Sequence, residues 1–172
     1  MLANTFPDPT EYLPYYGKYV SLVPKRDILE TLEKQNIETL GLIQGISETL
    51  SLKRYAPGKW SIKELVGHVI DTERIFAYRA LRISRNDKTP IPGFDQEPYI
   101  QFGNYDACPL SELADEFACV RQSTLYLFKH MSDEAWLRTG IASDAEVSVR
   151  ALVYIIAGHE LHHAHILRTK YL

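Results

Sequence analysis

Cysteine is scarce in this 172-residue chain: Cys108 and Cys119 are the only two, too few for a disulfide framework and too far apart for a CxxC pair. They fit a reduced, cytoplasmic setting. There is no excess of basic charge. Nineteen Lys and Arg stand against 22 Asp and Glu, a formal net charge of -3 at pH 7, so no broad pull toward nucleic acid or an anionic membrane is expected. No apolar run reaches the ~18 residues that a membrane span needs. The start, Met1 to Phe6 followed by Pro7 and Pro9, lacks the basic and then apolar pattern of a signal peptide. Long alternating stretches are missing too; the best candidate for a strand is the short segment around Tyr19–Val23.

Apolar residues make up 45% of the chain, enough for a core that buries about two thirds of the unfolded surface at this length. One domain over residues 1–172 is expected. Residues 1–25 hold Pro7, Pro9, Pro14 and Pro24, which stop any long helix, together with Tyr12, Tyr15, Tyr16 and Tyr19. So many aromatic rings predict an extended arm lying on the domain.

Four helical patterns follow. The first runs from Ile28 to Leu50, with Asp27 as cap, Glu30 completing a capping box, and Gly41 and Gly45 as weak points. The second has the clearest start. Ser61 and Glu64 form a capping box, Trp60 and Leu65 a hydrophobic staple, and the helix extends to about Ser84. The third spans Ser111 to about His130, with a short turn after it near Asp133–Trp136. The fourth starts at the cap Ser148, with Val147 and Leu152 as staple, and reaches about Thr169. Residues 85–110, rich in proline and glycine, carry no regular pattern and form a long connection between the second and third helices. The expected fold is therefore an all-α four-helix bundle with an N-terminal arm. The long connection permits a crossover, and the shorter links favour antiparallel neighbours.

Histidine is concentrated late: His159, His162, His163 and His165 fall within seven residues. His159 and His163, four apart on a helix, share one face and can chelate a single ion. They continue the apolar stripe of Leu152, Ile155 and Ile156, so they face the interior, where paired imidazoles need a partner. His68 lies near the inner face of the second helix and could supply a third ligand, although a lone inward histidine is more often a hydrogen-bonded core residue. Neutral imidazole suits Zn, Ni, Cu and Fe, which leaves the identity of the divalent ion open; Zn or Ni is the expectation. His130 suits the C-terminal end of the third helix. Asp71, Thr72 and Glu64 lie one turn from His68 and could orient it. Asp95 and Tyr99 could face the open side of a metal. Arg79, Arg82 and Arg85 could form a strip for an anionic substrate, the alternative being a solvated helix face.

Four segments carry a family resemblance: Y-A-P-G-K-W-S-I-K-E-L-V-G-H at 55–68, D-T-E-R-I-F-A-Y-R-A-L-R at 71–82, P-G-F-D-Q-E-P-Y at 92–99 and A-G-H-E-L-H-H-A-H-I at 157–166. The chain resembles the DinB/YfiT-like superfamily of metal-binding four-helix bundles. The resemblance implies that His68, His159 and His163 hold the metal, that the helix order is non-standard, and that the protein is a homodimer. It also implies a metal-dependent enzyme acting on a small molecule, either a transferase using a low-molecular-weight thiol or a hydrolase.

In the thiol reading no cysteine of the chain is needed, because the thiol comes from a cofactor. In the hydrolase reading a carboxylate must accept a proton, and Glu160 is a candidate because H-E-L-H-H at 159–163 matches the HExxH pattern. Ile166 and Thr169 depart from the longer protease motif, and no strand accompanies it. A third reading is a non-catalytic bundle stabilised by its metal.

Overall fold

A computed structural model describes residues 5–172, so the first four residues of the arm lie outside the described residues. The arm folds back in short helical turns: 3-10 turns at Pro9–Glu11 and Pro14–Tyr16, then α1 at Gly17–Val20. This corrects the extended arm and the strand expected near Tyr19–Val23. Each proline at the start of a 3-10 turn occupies a position where a backbone N–H would have no helical partner. Helix α2, Ile28–Gln44, is capped by Asp27, which accepts from the N–H groups of Leu29 and Glu30. It stops at Gly45, six residues short of the expected end. Ser47 then caps a separate turn, α3, at Glu48–Ser51.

Helix α4, Ile62–Ser84, has the expected capping box: Ser61 accepts from the Glu64 N–H, and Glu64 accepts from the Ser61 N–H. The long connection holds an unforeseen helix, α5, at Gln96–Gly103. Pro98 sits in its first turn, where the missing N–H breaks no helical bond. Helix α6, Leu110–Lys129, follows Pro109, and α7 occupies Asp133–Leu137. Strands β1 (Thr139–Ala142) and β2 (Ala145–Ser148) pair antiparallel. Their two-residue turn, Ser143 and Asp144, has positive φ at both positions, the conformation that matches strand twist. Helix α8, Val149–Ile166, is capped by Ser148 and runs into a π-helical turn at Leu167–Tyr171.

The four long helices form the bundle, with α2 and α4 each packed against both α6 and α8. Helices consecutive in the chain therefore need not be neighbours: α2 stands across the bundle from α4, contrary to the expectation from the short link. Gln35 and Thr39 bond to Ala157 and Glu160 in matching order, so α2 and α8 run parallel. Helices α4 and α6 are also parallel neighbours. Ile62 and Leu113 share one core cluster, Phe76 and Phe128 the other. The long connection through α5 is the crossover that parallel neighbours require.

Two apolar clusters fill the bundle. One holds Leu32, Phe76, Phe128 and Ile155; the other holds Ile43, Leu65, Phe117 and Leu167. Between them lies a buried ionic layer. Arg121, fully buried, donates to both Glu73 oxygens at 2.9 and 2.7 Å and to Glu160 Oε2 at 2.6 Å. Thr39 donates to the other Glu160 oxygen at 2.5 Å.

A three-histidine centre beneath the N-terminal arm

His68 sits two turns into α4, and His159 and His163 lie one turn apart on α8. The antiparallel packing of these helices brings them together. The Nε2 atoms of His68 and His159 are 3.1 Å apart across 91 residues of sequence, and those of His163 and His159 are also 3.1 Å apart. One ligand nitrogen from each ring falls within 4.8 Å of the others, and all three residues are buried. The ring of residue 68 is 4.9 and 4.8 Å from the rings of His159 and His163.

Burial dominates the electrostatics. It lowers the pKa of His68 to about 4 and, with the neighbouring His68, that of His163 to about 3. His159 falls well below the usual imidazole value, first through burial and then through the neighbouring His163 and His68. All three are thus neutral at pH 7, the form that ligates metals. The converging Nε2 atoms have only one another as partners, and Nδ1 of His163 is buried with none. Nitrogens bound at ~2.0–2.1 Å to a tetrahedral ion stand roughly 3.3 Å apart, close to the two 3.1 Å spacings that His159 makes with His68 and His163. The donor set fits a transition metal.

The surroundings differ in part from the sequence reading. Of the three residues expected to orient His68, Thr72 alone faces it, with Oγ1 3.5 Å from Nδ1. Asp71 accepts from the Tyr105 hydroxyl, and Glu64 pairs with Arg54. Glu160 turns away from the histidines into the ionic layer, so it is not placed to act as their base. Burial raises its pKa against the pull of Arg121. His162 is half-buried beside Tyr19 and His163, outside the convergent set, and His165 is exposed. His130 caps the C-terminus of α6.

The expected basic strip does not form. Three residues advance a helix by about 300°, so successive arginines rotate away from one another. Arg79 is buried and bonded to Pro92 O and Ser143 Oγ, Arg82 pairs with Asp87, and Arg85 faces solvent. Asp95 lines the space above the histidines and caps α5; Tyr99 packs on Phe94 and does not line it.

Sequence reasoning missed the roof. The arm places Tyr19 edge-on to His159, with ring centroids 5.3 Å apart, and Tyr16 edge-on to Phe76. The contact depends on Gly158: a Cβ there would stand 2.1 Å from the Tyr19 carbonyl oxygen. The arm is also fastened by Glu11, which accepts from Ser148 and pairs with Arg150. Trp60, noted only as a staple, packs its ring 4.8 Å from that of His68. The cluster of arm tyrosines was the signal available for the roof. Two clefts open on the centre. One, of about 310 Å³, reaches His68 and His159; the other, of about 330 Å³, reaches His163. Tyr15, Tyr19 and Gln96 line both. Neither cleft is lined by Cys108 or Cys119.

Four long helices, with three histidines converging from the second and the last of them, define a helical bundle with a candidate metal centre. The DinB superfamily profile matches residues 31–167, and the chain belongs to that superfamily. It is 27% identical over 154 residues to OB0413 of Oceanobacillus iheyensis, which is provisionally named a metal-dependent hydrolase; the match covers 84% of this chain and 88% of that protein. The fold is that of YfiT from Bacillus subtilis, described as a probable metal-dependent hydrolase with an unusual four-helix bundle topology. The TM-score is 0.70 at 13% identity, over 98% of this chain and 97% of YfiT. No helix among the described residues is long and apolar enough to cross a membrane.

Proposed function

We propose that this protein is a metal-dependent enzyme in which His68, His159 and His163 hold one divalent transition metal, Zn or Ni, and that it transfers a low-molecular-weight thiol to a small electrophile. The observation that carries the reading is the convergence of three neutral, buried imidazoles at a point reached by two clefts. A bound ion of this class acidifies a thiol or water that meets it.

The residues around the centre favour sulfur chemistry. An ionised thiol needs no protein nucleophile and no strong protein base. Its proton leaves to solvent. The sulfur lone pair then forms the new carbon–sulfur bond as the bond to the leaving group breaks, and the leaving group departs with that electron pair. Tyr19, whose phenol burial keeps protonated, offers an O–H donor at the boundary of the two clefts. The Phe76, Phe94 and Ile155 side chains line the cleft above His68 and His159 with apolar surface suited to an uncharged acceptor.

Hydrolysis is the second reading. Asp95 lines the same cleft as His68 and His159 and is a candidate proton acceptor for an attacking water. The hydrolase names of OB0413 and YfiT support it as well. The two readings separate when metal-loaded protein is offered a thiol with a panel of electrophiles, and separately a panel of esters and amides. Thiol consumption that survives Asp95→Asn supports transfer. Ester or amide cleavage that collapses in the same variant supports hydrolysis.

A further inference from the structure

The two clefts differ in chemistry. The cleft at His68 and His159 is lined by aromatic rings, Thr72, Gln96 and one carboxylate, Asp95, and holds no lysine or arginine. The cleft at His163 carries the ammonium groups of Lys18 and Lys59. Neither lysine forms an ion pair among the described residues, although Glu11, Glu48, Glu64, Glu73 and Asp106 elsewhere in the chain are all paired. Lys18 instead lies over the Tyr15 ring, its Nζ 3.9 Å from the centroid, at the boundary of the two clefts. Lys59, next to Trp60 in the chain, lines the same cleft. Glu97 also lines this cleft, so the lysines outnumber the carboxylates there by two to one. Two exposed lysines without a carboxylate partner, lining one open cleft, can receive an anionic group.

We propose that the cleft between Lys18 and Lys59 is an anion subsite that takes the carboxylate of a small carboxylate-bearing ligand, while the aromatic cleft across Tyr15 and Tyr19 takes an uncharged partner. Resting on the thiol-transfer reading above, this assigns the carboxylate to the thiol substrate. The sulfur would approach the centre from the His163 side and the acceptor from the His68 side. The arm supplies Tyr15, Lys18 and Tyr19 to this lining, and the segment just before α4 supplies Lys59.

The test uses metal-loaded protein carrying Trp136→Phe, so that fluorescence reports Trp60 at the subsite. The probes are 3-mercaptopropionate, 2-mercaptoethanol, cysteamine and sulfur-free succinate. The expected result is that 3-mercaptopropionate binds at least ~10-fold more tightly than 2-mercaptoethanol, with cysteamine weakest. Lys18→Gln with Lys59→Gln should abolish that preference while leaving 2-mercaptoethanol binding unchanged. Lys59→Gln alone, which leaves the arm's tyrosine stacking intact, should weaken 3-mercaptopropionate several-fold. Equal affinity for the charged and neutral thiols, or a preference that persists in the double variant, would overturn the subsite. Failure of the thiol reading looks different: no thiol perturbs the absorption of the cobalt-loaded protein, yet succinate still quenches Trp60 in a lysine-dependent way.

Discussion

Arg121 on α6 donates to Glu160 on α8 at 2.6 Å, and Glu160 immediately follows His159. The HExxH-like string thus divides its residues between two jobs. The histidines face α4 and the clefts, and the glutamate faces α2 and α6. Because Arg121 is also bonded to Glu73, one cation ties α4, α6 and α8 together at the level of the metal centre.

Removing one member of this layer leaves an uncompensated buried charge, which typically costs about 3–5 kcal/mol. Arg121→Met is expected to destabilise by at least that much, since two carboxylates lose their partner. Glu160→Gln is expected to cost less, because Glu73 and the Leu32 carbonyl remain to hold Arg121. Urea denaturation of the metal-free proteins measures both.

Gly158 and the Tyr19 carbonyl give a second expectation. Gly158→Ala forces the arm off α8 or shifts the helix, and overpacking of this kind costs about 1–3 kcal/mol. The variant should melt at lower temperature, and limited proteolysis should cut within residues 8–20 faster than in the parent.

The histidines set the acid limit. Their folded pKa values are depressed below 6.5, so the fold favours the neutral rings. That contribution is full above pH 6.5 and is lost as pH falls toward 4 and 3, the values for His68 and His163. Metal-free protein should lose thermal stability across this window, and His68→Gln should flatten the profile. Bound metal should be released over the upper part of the same window, because protons compete for the same lone pairs.

Neither cysteine is required by this account. Cys108→Ser with Cys119→Ser should leave metal content unchanged, and the exposed Cys119→Ser alone should keep stability within about 0.5 kcal/mol of the parent, as surface changes usually do. A lost ion in the double variant would place a thiolate in the ligand set.

Much of the frame was legible because local signals agreed. Trp60, Ser61, Glu64 and Leu65 marked the start of α4 to the residue, and the stripe of Leu152, Ile155 and Ile156 set the inward face of His159 and His163. The rest was decided by features with weak local signatures. Gly45 followed by Ser47 ends one helix and caps another, yet the apolar period runs through both. Helix α5 was hidden by Pro98, which is harmless in a first turn. The hairpin uses Ser143 and Asp144 where Asn-Gly would have announced a turn. The arginine strip failed because spacing by three rotates around a helix. The roof of tyrosines depended on a tertiary contact at Gly158 that no periodicity reveals.

The most direct test is metal analysis of protein purified without a histidine tag, with His159→Ala and His162→Ala alongside. The expected result is about one Zn or Ni per chain in the parent and in His162→Ala, and almost none in His159→Ala. Protein that takes up no ion even when supplied with it, or a His159→Ala variant that keeps a full equivalent, would contradict the assignment of the three imidazoles.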